Sequence, residues 1–148
     1  EFMISTNRGE LQKALSKIIS GGELSRIMLA LKNVLTDGDN AETLIFDEVD
    51  SGISGRTAQL VSEKMNELGR SHQIICITHL PQIAAMADKH FLINKVTDST
   101  TTLTQIEELK EDEQLKELAR LLGGEDVTEA ALANAKEMRK QALEIKGK

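Results

Sequence analysis

The sequence predicts an α/β fold, a mostly parallel sheet flanked by helices and followed by a C-terminal hairpin. Three observations predict it. Two short, continuously apolar runs, 43–46 and 74–77, have the character of strands buried on both faces. Helical apolar periods precede, separate and follow them, and an order of strand, helix, strand, helix pairs consecutive strands in parallel with right-handed crossovers. Finally, 148 residues suffice for one compact domain with its own core, and no internal repeat or low-complexity linker marks a second.

Each element has its own signal. Phe2-Met3-Ile4 reads as the end of a strand, and the unusual start Glu1-Phe2-Met3 as a boundary inside a longer polypeptide. A polar loop covers 5–17. Leu24, Ile27, Met28, Leu31, Val34 and Leu35 then fall at helical spacing, and Asp37-Gly38-Asp39-Asn40 ends that helix. A second helix over 55–68 rests on Ala58, Val61, Met65 and Leu68, with Gly69 placed to cap it. Pro81 suits a helix first turn and leads into 83–87. Residues 91–96 and 101–106 form a hairpin around Asp98-Ser99-Thr100. Two helices close the chain. One carries Leu115, Leu118, Ala119 and Leu122 and stops at Gly123-Gly124; the other is capped by Thr128 and runs through Ala131, Ala135, Met138 and Ala142.

Composition excludes several functions. With 18 basic and 24 acidic residues the net charge is −6, which argues against broad non-specific DNA binding by this chain. Three Phe are its only aromatics, too few for a base-stacking platform. One cysteine, Cys76, allows no intramolecular disulfide and fits a reducing cytosol. No apolar run approaches the ~20 residues of a membrane span, and no signal peptide is visible. Arg8, Lys13 and Lys17 make a small basic stretch that reads as solvated loop or as a DNA or nucleotide contact; the acidic stretch 107–117 reads as solvent-facing.

Three motifs carry chemistry. Ser20-Gly21-Gly22-Glu23 opens the first helix as a capping box, and its two glycines bare the free N–H groups of a helix N-terminus, which suits a phosphate. Asp47-Glu48 follows directly on the first strand, at the carboxyl edge where parallel sheets bind ligands. Asp47 fits a Mg²⁺ site that keeps several waters, and Glu48 can orient or deprotonate a water. His79 ends the second strand and reaches the same edge. Alone, each has an ordinary structural reading: a cap, an exposed acid pair, a satisfied polar ring. Their order and spacing are what make the signal, Asp47 lying 27 residues after Ser20 and His79 lying 31 after Glu48. His72 and His90 have no such company, and Cys76 reads as a small core residue rather than a nucleophile.

This arrangement resembles the C-terminal half of a P-loop NTPase head of the ABC/SMC type. Ser20–Glu23 is similar to the signature motif, 44–48 to the Walker B strand, Ser51-Gly52-Ile53-Ser54 to the D-loop, and His79 to the switch histidine. The segments 19–26, 46–56, 77–82 and 118–124 closely resemble the RecN family of bacterial, SMC-like DNA double-strand break repair ATPases, and the likeness spans nearly the whole chain, Ile4-Ser5-Thr6-Asn7 included. Two departures from transport ATPases point the same way. Val49-Asp50 stands where they have Pro-Thr, and Ser54 where their D-loop has Asp, which leaves that aspartate's role without a carrier.

The resemblance implies a site shared between two heads. Ser20, Gly21, Gly22 and Glu23 would meet ATP held by a partner head, Asp47 would hold Mg²⁺ through water, Glu48 would polarise the attacking water, and His79 would contact the γ-phosphate. It implies a homodimer of heads, DNA engaged by the complete protein, and a cytoplasmic, nucleoid-associated setting without a membrane partner. The sequence contains no Gly-x4-Gly-Lys-[Ser/Thr] loop. By resemblance that loop, a Q-loop and a long coiled coil belong to an N-terminal Walker A lobe outside these residues, so the chain alone is expected to be inactive. Two other readings stand beside this one, a nucleotide-binding subunit of an ABC transporter and a non-catalytic interaction lobe.

Overall fold

The structure, a computed structural model, describes residues 2–5, 9, 11–15, 20–35, 41–97 and 101–147. Its elements are β1 (Met3–Ile4), β2 (Lys13–Ala14), α1 (Gly21–Val34), β3 (Thr43–Phe46), α2 (Gly55–Leu68), β4 (Gln73–Cys76), α3 (Pro81–Met86), β5 (His90–Thr97), β6 (Thr102–Leu109), α4 (Glu111–Gly123) and α5 (Glu129–Lys146). The chain is α/β, but among the described residues the strands form three separate pairs rather than one mostly parallel sheet. Only β3 and β4 run parallel; β1–β2 and β5–β6 are antiparallel. The expected loop over 5–17 therefore contains a strand, Lys13–Ala14, paired back onto Met3–Ile4. Arg8, Lys17, Asp37–Asn40 and the Asp98–Thr100 turn lie outside the described residues.

The β3–β4 pair carries a second correction. Its register sets Leu44 beside Ile74 and Phe46 beside Cys76, and only one face of it is covered. Leu44 and Phe46 are buried, whereas Ile45 is 69 % and Ile75 46 % exposed. A continuous apolar run signals two covered faces only if a second layer is present. Among the described residues α1, α2 and α3 supply one layer and nothing supplies the other. α1 departs in the same way. Its buried apolar side chain is Leu29, while the stripe Leu24, Met28, Leu31, Val34 and Leu35 is exposed.

Two apolar clusters hold the chain together. Leu29, Leu44, Phe46, Val49, Val61, Met65, Leu68 and Ile83 pack between the parallel pair and α1–α3. Ala85, Met86, Leu118, Ala119, Ala131, Ala135 and Ala142 pack between α3, α4 and α5. α3 belongs to both, and its C-terminal end is tied to α5. The Arg139 guanidinium donates to the carbonyls of Ala85 (2.5 Å) and Ala87 (2.7 Å), and Lys146 Nζ to that of Met86 (2.9 Å) and to Asp88. Cations there satisfy carbonyls that a helix end leaves unpaired.

Caps follow the sequence signals. Pro81 is in the first turn of α3, and Thr128 Oγ1 accepts from Ala131 N–H at 3.1 Å. Gly124, at φ +90°, closes α4, whereas Gly69 caps α2 in ordinary right-handed geometry. The β5–β6 hairpin reaches further from its turn than predicted and is mostly exposed, with His90 and Leu109 buried at its far end. Most of the acidic stretch faces water as expected, although Glu117 is half-buried and paired with Arg120.

Candidate functional site

The site grows from the ends of two parallel strands. Because Phe46 is level with Cys76, and Ile77 N–H extends the ladder to the Phe46 carbonyl (3.1 Å), Asp47-Glu48 and Thr78-His79 leave the pair at one edge. That is the carboxyl edge where the sequence places them. α1 meets this edge with its N-terminus. Ser20 caps it, accepting from Glu23 N–H at 3.4 Å, while the Glu23 carboxylate accepts from Ser20 N–H at 3.2 Å and from the Ser20 hydroxyl at 3.3 Å. The predicted capping box is present.

The two glycines of this motif have a contact reason to be glycine. A Cβ on Gly21 would run into the Glu48 carboxylate. On Gly22 it would lie 2.8 Å from the Glu48 carbonyl oxygen and 2.8 Å from Ser51 Cβ. The 47–51 segment thus lies directly on the helix N-terminus, and the Glu48 side chain reaches the end that is positive by its dipole. Glu48 adopts φ +57°, the one positive φ outside glycine among the described residues. Such a conformation costs about 1–3 kcal/mol and persists only where its surroundings impose it.

α1 imposes it by holding the segment's backbone. The Ser25 hydroxyl donates to the Asp47 carbonyl (2.7 Å), and Arg26 Nη1 donates to the carbonyls of Val49 (3.1 Å) and Ser51 (2.7 Å). Ser51 N–H closes a turn onto the Glu48 carbonyl at 2.9 Å. The stretch resembling a D-loop follows, with positive φ at Gly52 and Gly55 and Ser54 at the start of α2. Side chains alternate sharply here. Asp47 and Glu48 are exposed, Val49 and Asp50 are buried, and Ser51, Gly52 and Ser54 are exposed with Ile53 half-buried.

Asp50 joins the two strand ends. Its Oδ2 accepts from the Thr78 hydroxyl (2.6 Å) and from His79 N–H (2.8 Å), and lies 2.9 Å from His79 Nδ1. The rest of the imidazole is open to solvent. Ser25, Arg26 and Asp50 were not singled out by spacing. Asp50 had a signal, an acid placed between apolar and small residues where a buried carboxylate needs partners; Ser25 and Arg26 had none, since polar residues on a helix are ordinary.

The remaining candidates behave as structural groups. His90 is buried, its Nε2 2.6 Å from the Ala84 carbonyl, and burial holds its pKa below the usual histidine value. His72 lies against Ser71 and the Leu68 carbonyl, away from the site. The Cys76 thiol is pushed up to about 12, by burial first and then by Asp50 and Asp47, so it is no thiolate nucleophile at neutral pH. Among the described residues no three His, Cys, Asp or Glu side chains cluster to cage a metal. An exposed Asp47 at the strand edge suits Mg²⁺ nonetheless, because that ion takes one or two carboxylates, substrate phosphates and water.

Comparison with known proteins finds relatives along nearly the whole chain. The chain is 47 % identical over 146 residues to the DNA repair protein RecN of Bacillus subtilis, covering 99 % of the chain and 25 % of the relative. It is 46 % identical over 146 residues to RecN of Halalkalibacterium halodurans (99 % and 26 %) and 45 % identical over 137 residues to RecN of Vibrio cholerae (93 % and 25 %). The chain matches a C-terminal segment of RecN. It spans about a quarter of the length of the curated RecN relatives it matches. Its fold is similar to a chain solved in work on ATP-driven dimerization and DNA-stimulated activation of SMC ATPases, with a TM-score of 0.53 at 22 % identity, covering 80 % of this chain and 70 % of the other. No protein-family model matches. No described helix is long and apolar enough to cross a membrane.

Proposed function

We propose that this chain is the C-terminal lobe of a RecN-like ATPase that acts in recombinational repair of DNA double-strand breaks. ATP is bound and hydrolysed between two paired heads of a homodimer, each completed by an N-terminal Walker A lobe, and the complete protein engages DNA in the bacterial cytoplasm, at the nucleoid. The observation that carries this reading is the shared strand edge. Two acids, a histidine and a glycine-opened helix N-terminus meet there, on a backbone held by hydrogen bonds from α1.

The roles follow from chemistry at that edge. Ser20, Gly21, Gly22 and Glu23 present helix N–H groups and no Cβ bulk to the γ-phosphate of the partner head's ATP. Asp47 holds Mg²⁺ through water. Glu48 takes the proton of, or orients, the attacking water. His79 contacts the γ-phosphate, and Ser51-Gly52-Ile53-Ser54 line the head-to-head seam. The chain alone supplies half of this site, so residues 1–148 neither bind ATP tightly nor turn it over; micromolar ATP affinity of the isolated chain would overturn that statement. RecN relatives, rather than transporter subunits, support this reading over the transporter one.

Glu48→Gln tests it. In a polypeptide that also carries the Walker A lobe, the variant is expected to pair its heads on ATP while turnover falls about 10²–10⁴-fold. A variant hydrolysing ATP at the wild-type rate removes Glu48 from the mechanism.

A further inference from the structure

We propose that Asp50 is the positioning residue for His79. It occupies the Nδ1 side of the ring, so that whatever His79 contributes to ATP passes through Nε2. The part of this inference that concerns ATP rests on the function proposed above; the part that concerns the ring does not.

The geometry is that of a buried anchor holding an exposed ring. The Asp50 side chain is 6 % exposed and that of His79 72 %. An imidazole this open has no packing to choose its orientation, so its direction must come from hydrogen bonds. Asp50 is the polar group beside the ring, its Oδ2 2.9 Å from Nδ1, and the same oxygen fixes the ring's base by accepting from Thr78 Oγ1 (2.6 Å) and His79 N–H (2.8 Å). The Thr78 hydroxyl is itself held from behind, accepting Leu80 N–H at 3.0 Å where α3 begins.

The anchor is rigid in its turn. Val49 beside it is fully buried, and Arg26 grips the carbonyls on both sides of it, those of Val49 and Ser51. A buried carboxylate without hydrogen bonds is costly, so Asp50 depends on its two donors and they on it.

The chemistry then follows from donor and acceptor capacity. A carboxylate oxygen 2.9 Å from a ring nitrogen favours a proton on that nitrogen, so the proposed tautomer carries its proton on Nδ1, toward Asp50. With Nδ1 turned onto Asp50, Nε2 alone is left to face outward. Asp50 touches neither phosphate nor water in this scheme. It acts through His79, as an acid that sets the tautomer and aim of a catalytic imidazole does elsewhere.

The competing possibility is that Asp50 merely staples the two strand ends through Thr78 and the backbone, with the ring incidental. Nitrogen-15 NMR of the imidazoles in chain 1–148 at pH 8 separates the two. Wild type is expected to show His79 protonated at Nδ1. In Asp50→Asn and Asp50→Ala that tautomer is lost, while His72 and His90 keep their signals and so report an intact fold. If Asp50→Ala unfolds, the isosteric Asn variant decides. Wild-type His79 protonated only at Nε2, or Nδ1 protonation that survives in the folded variants, overturns the proposal.

A second measurement reads function, in the polypeptide carrying the Walker A lobe. Asp50→Asn is expected to lower kcat about 10- to 100-fold, as loss of an orienting partner does at other sites, with KM for ATP much less affected. Combined with His79→Ala it should cost no more than His79→Ala alone, because one residue acts through the other. A double variant slowed by the product of the two single effects overturns the coupling. Wild-type turnover in Glu48→Gln would instead indict the proposed function and leave the NMR result to judge Asp50.

Discussion

The two apolar clusters of this chain are built on different terms. The one under the site mixes Phe46, Leu44, Leu29 and Met65, and the parallel pair it covers leaves Ile45 and Ile75 open on the other face. The helical one is mostly alanine, closed around a fully buried Leu118, and its helices are tied by Arg139 and Lys146 as well as by packing. Small side chains let helices approach closely, so α3, α4 and α5 satisfy one another. The site region does not cover itself. It leaves Asp47 and Glu48, the strained member of the pair, exposed at its polar strand ends. Under the proposed function, a lobe that completes its site with other chain segments would use such a division between a self-sufficient support and an open working edge. α3 joins the two, giving Ile83 to one cluster and Ala85 and Met86 to the other.

Removing the centre of the support should produce the largest effect. Leu118→Ala leaves a cavity where alanines cannot spread to fill it, and is expected to cost about 2–5 kcal/mol of stability, read by urea denaturation. The hydrogen bonds at the strand edge should survive in the folded fraction. A loss below about 1 kcal/mol would mean that the helices collapse onto the gap, and the contrast between rigid support and open edge would fail.

A smaller effect probes the working edge. Gly22→Ala places a methyl against two backbone oxygens, those of Glu48 and Ser51, and against Ser51 Cβ. Backbone cannot give way as a side chain does, so the better helix propensity of Ala is outweighed, with a net loss of about 1–3 kcal/mol. Gly147→Ala is the control at the end of α5. There a Cβ meets only carbonyl oxygens at 3.6 and 3.9 Å, φ is −76°, and a gain of about 0.4–1 kcal/mol is expected. Equal responses at the two positions would show that Gly22 is free of close approach.

The same contrast explains what could be read from sequence. Helix caps, glycine stops and the strand-end acids and histidine are local features, set by a few neighbouring residues, and Ser20, Gly124, Thr128, Asp47 and His79 stand where the sequence puts them. The covered faces were not legible. Apolar runs at 43–46 and 74–77 report that some layer covers them, without saying whether these residues contain it. Likewise the stripe Leu24, Met28 and Leu31 keeps a helical period whether or not anything packs on it. Arg26 escaped because its partners are backbone carbonyls 23 and 25 residues away, which no residue pattern advertises; the signal at Asp50 says that it needs partners but not that they lie 28 and 29 residues away.

The smallest expected effect is an acid response confined to the support. His90 sits beneath α3 with Nε2 on the Ala84 carbonyl; burial lowers its pKa most, and Arg139 and Lys146 push the same way against that hydrogen bond and Glu117. With the folded pKa below the unfolded value of about 6.5, the unfolded chain takes up the proton first. Stability contributed by the neutral ring is therefore complete above that value and is lost as pH falls through and below it. His90→Gln keeps an amide donor for the Ala84 carbonyl without titrating in this range. Denaturation midpoints at pH 7 and pH 5 should differ more for wild type than for this variant, while the variants at Gly22 keep the wild-type pH slope. Parallel slopes for wild type and His90→Gln would place the acid sensitivity in other groups and take the support out of the pH response.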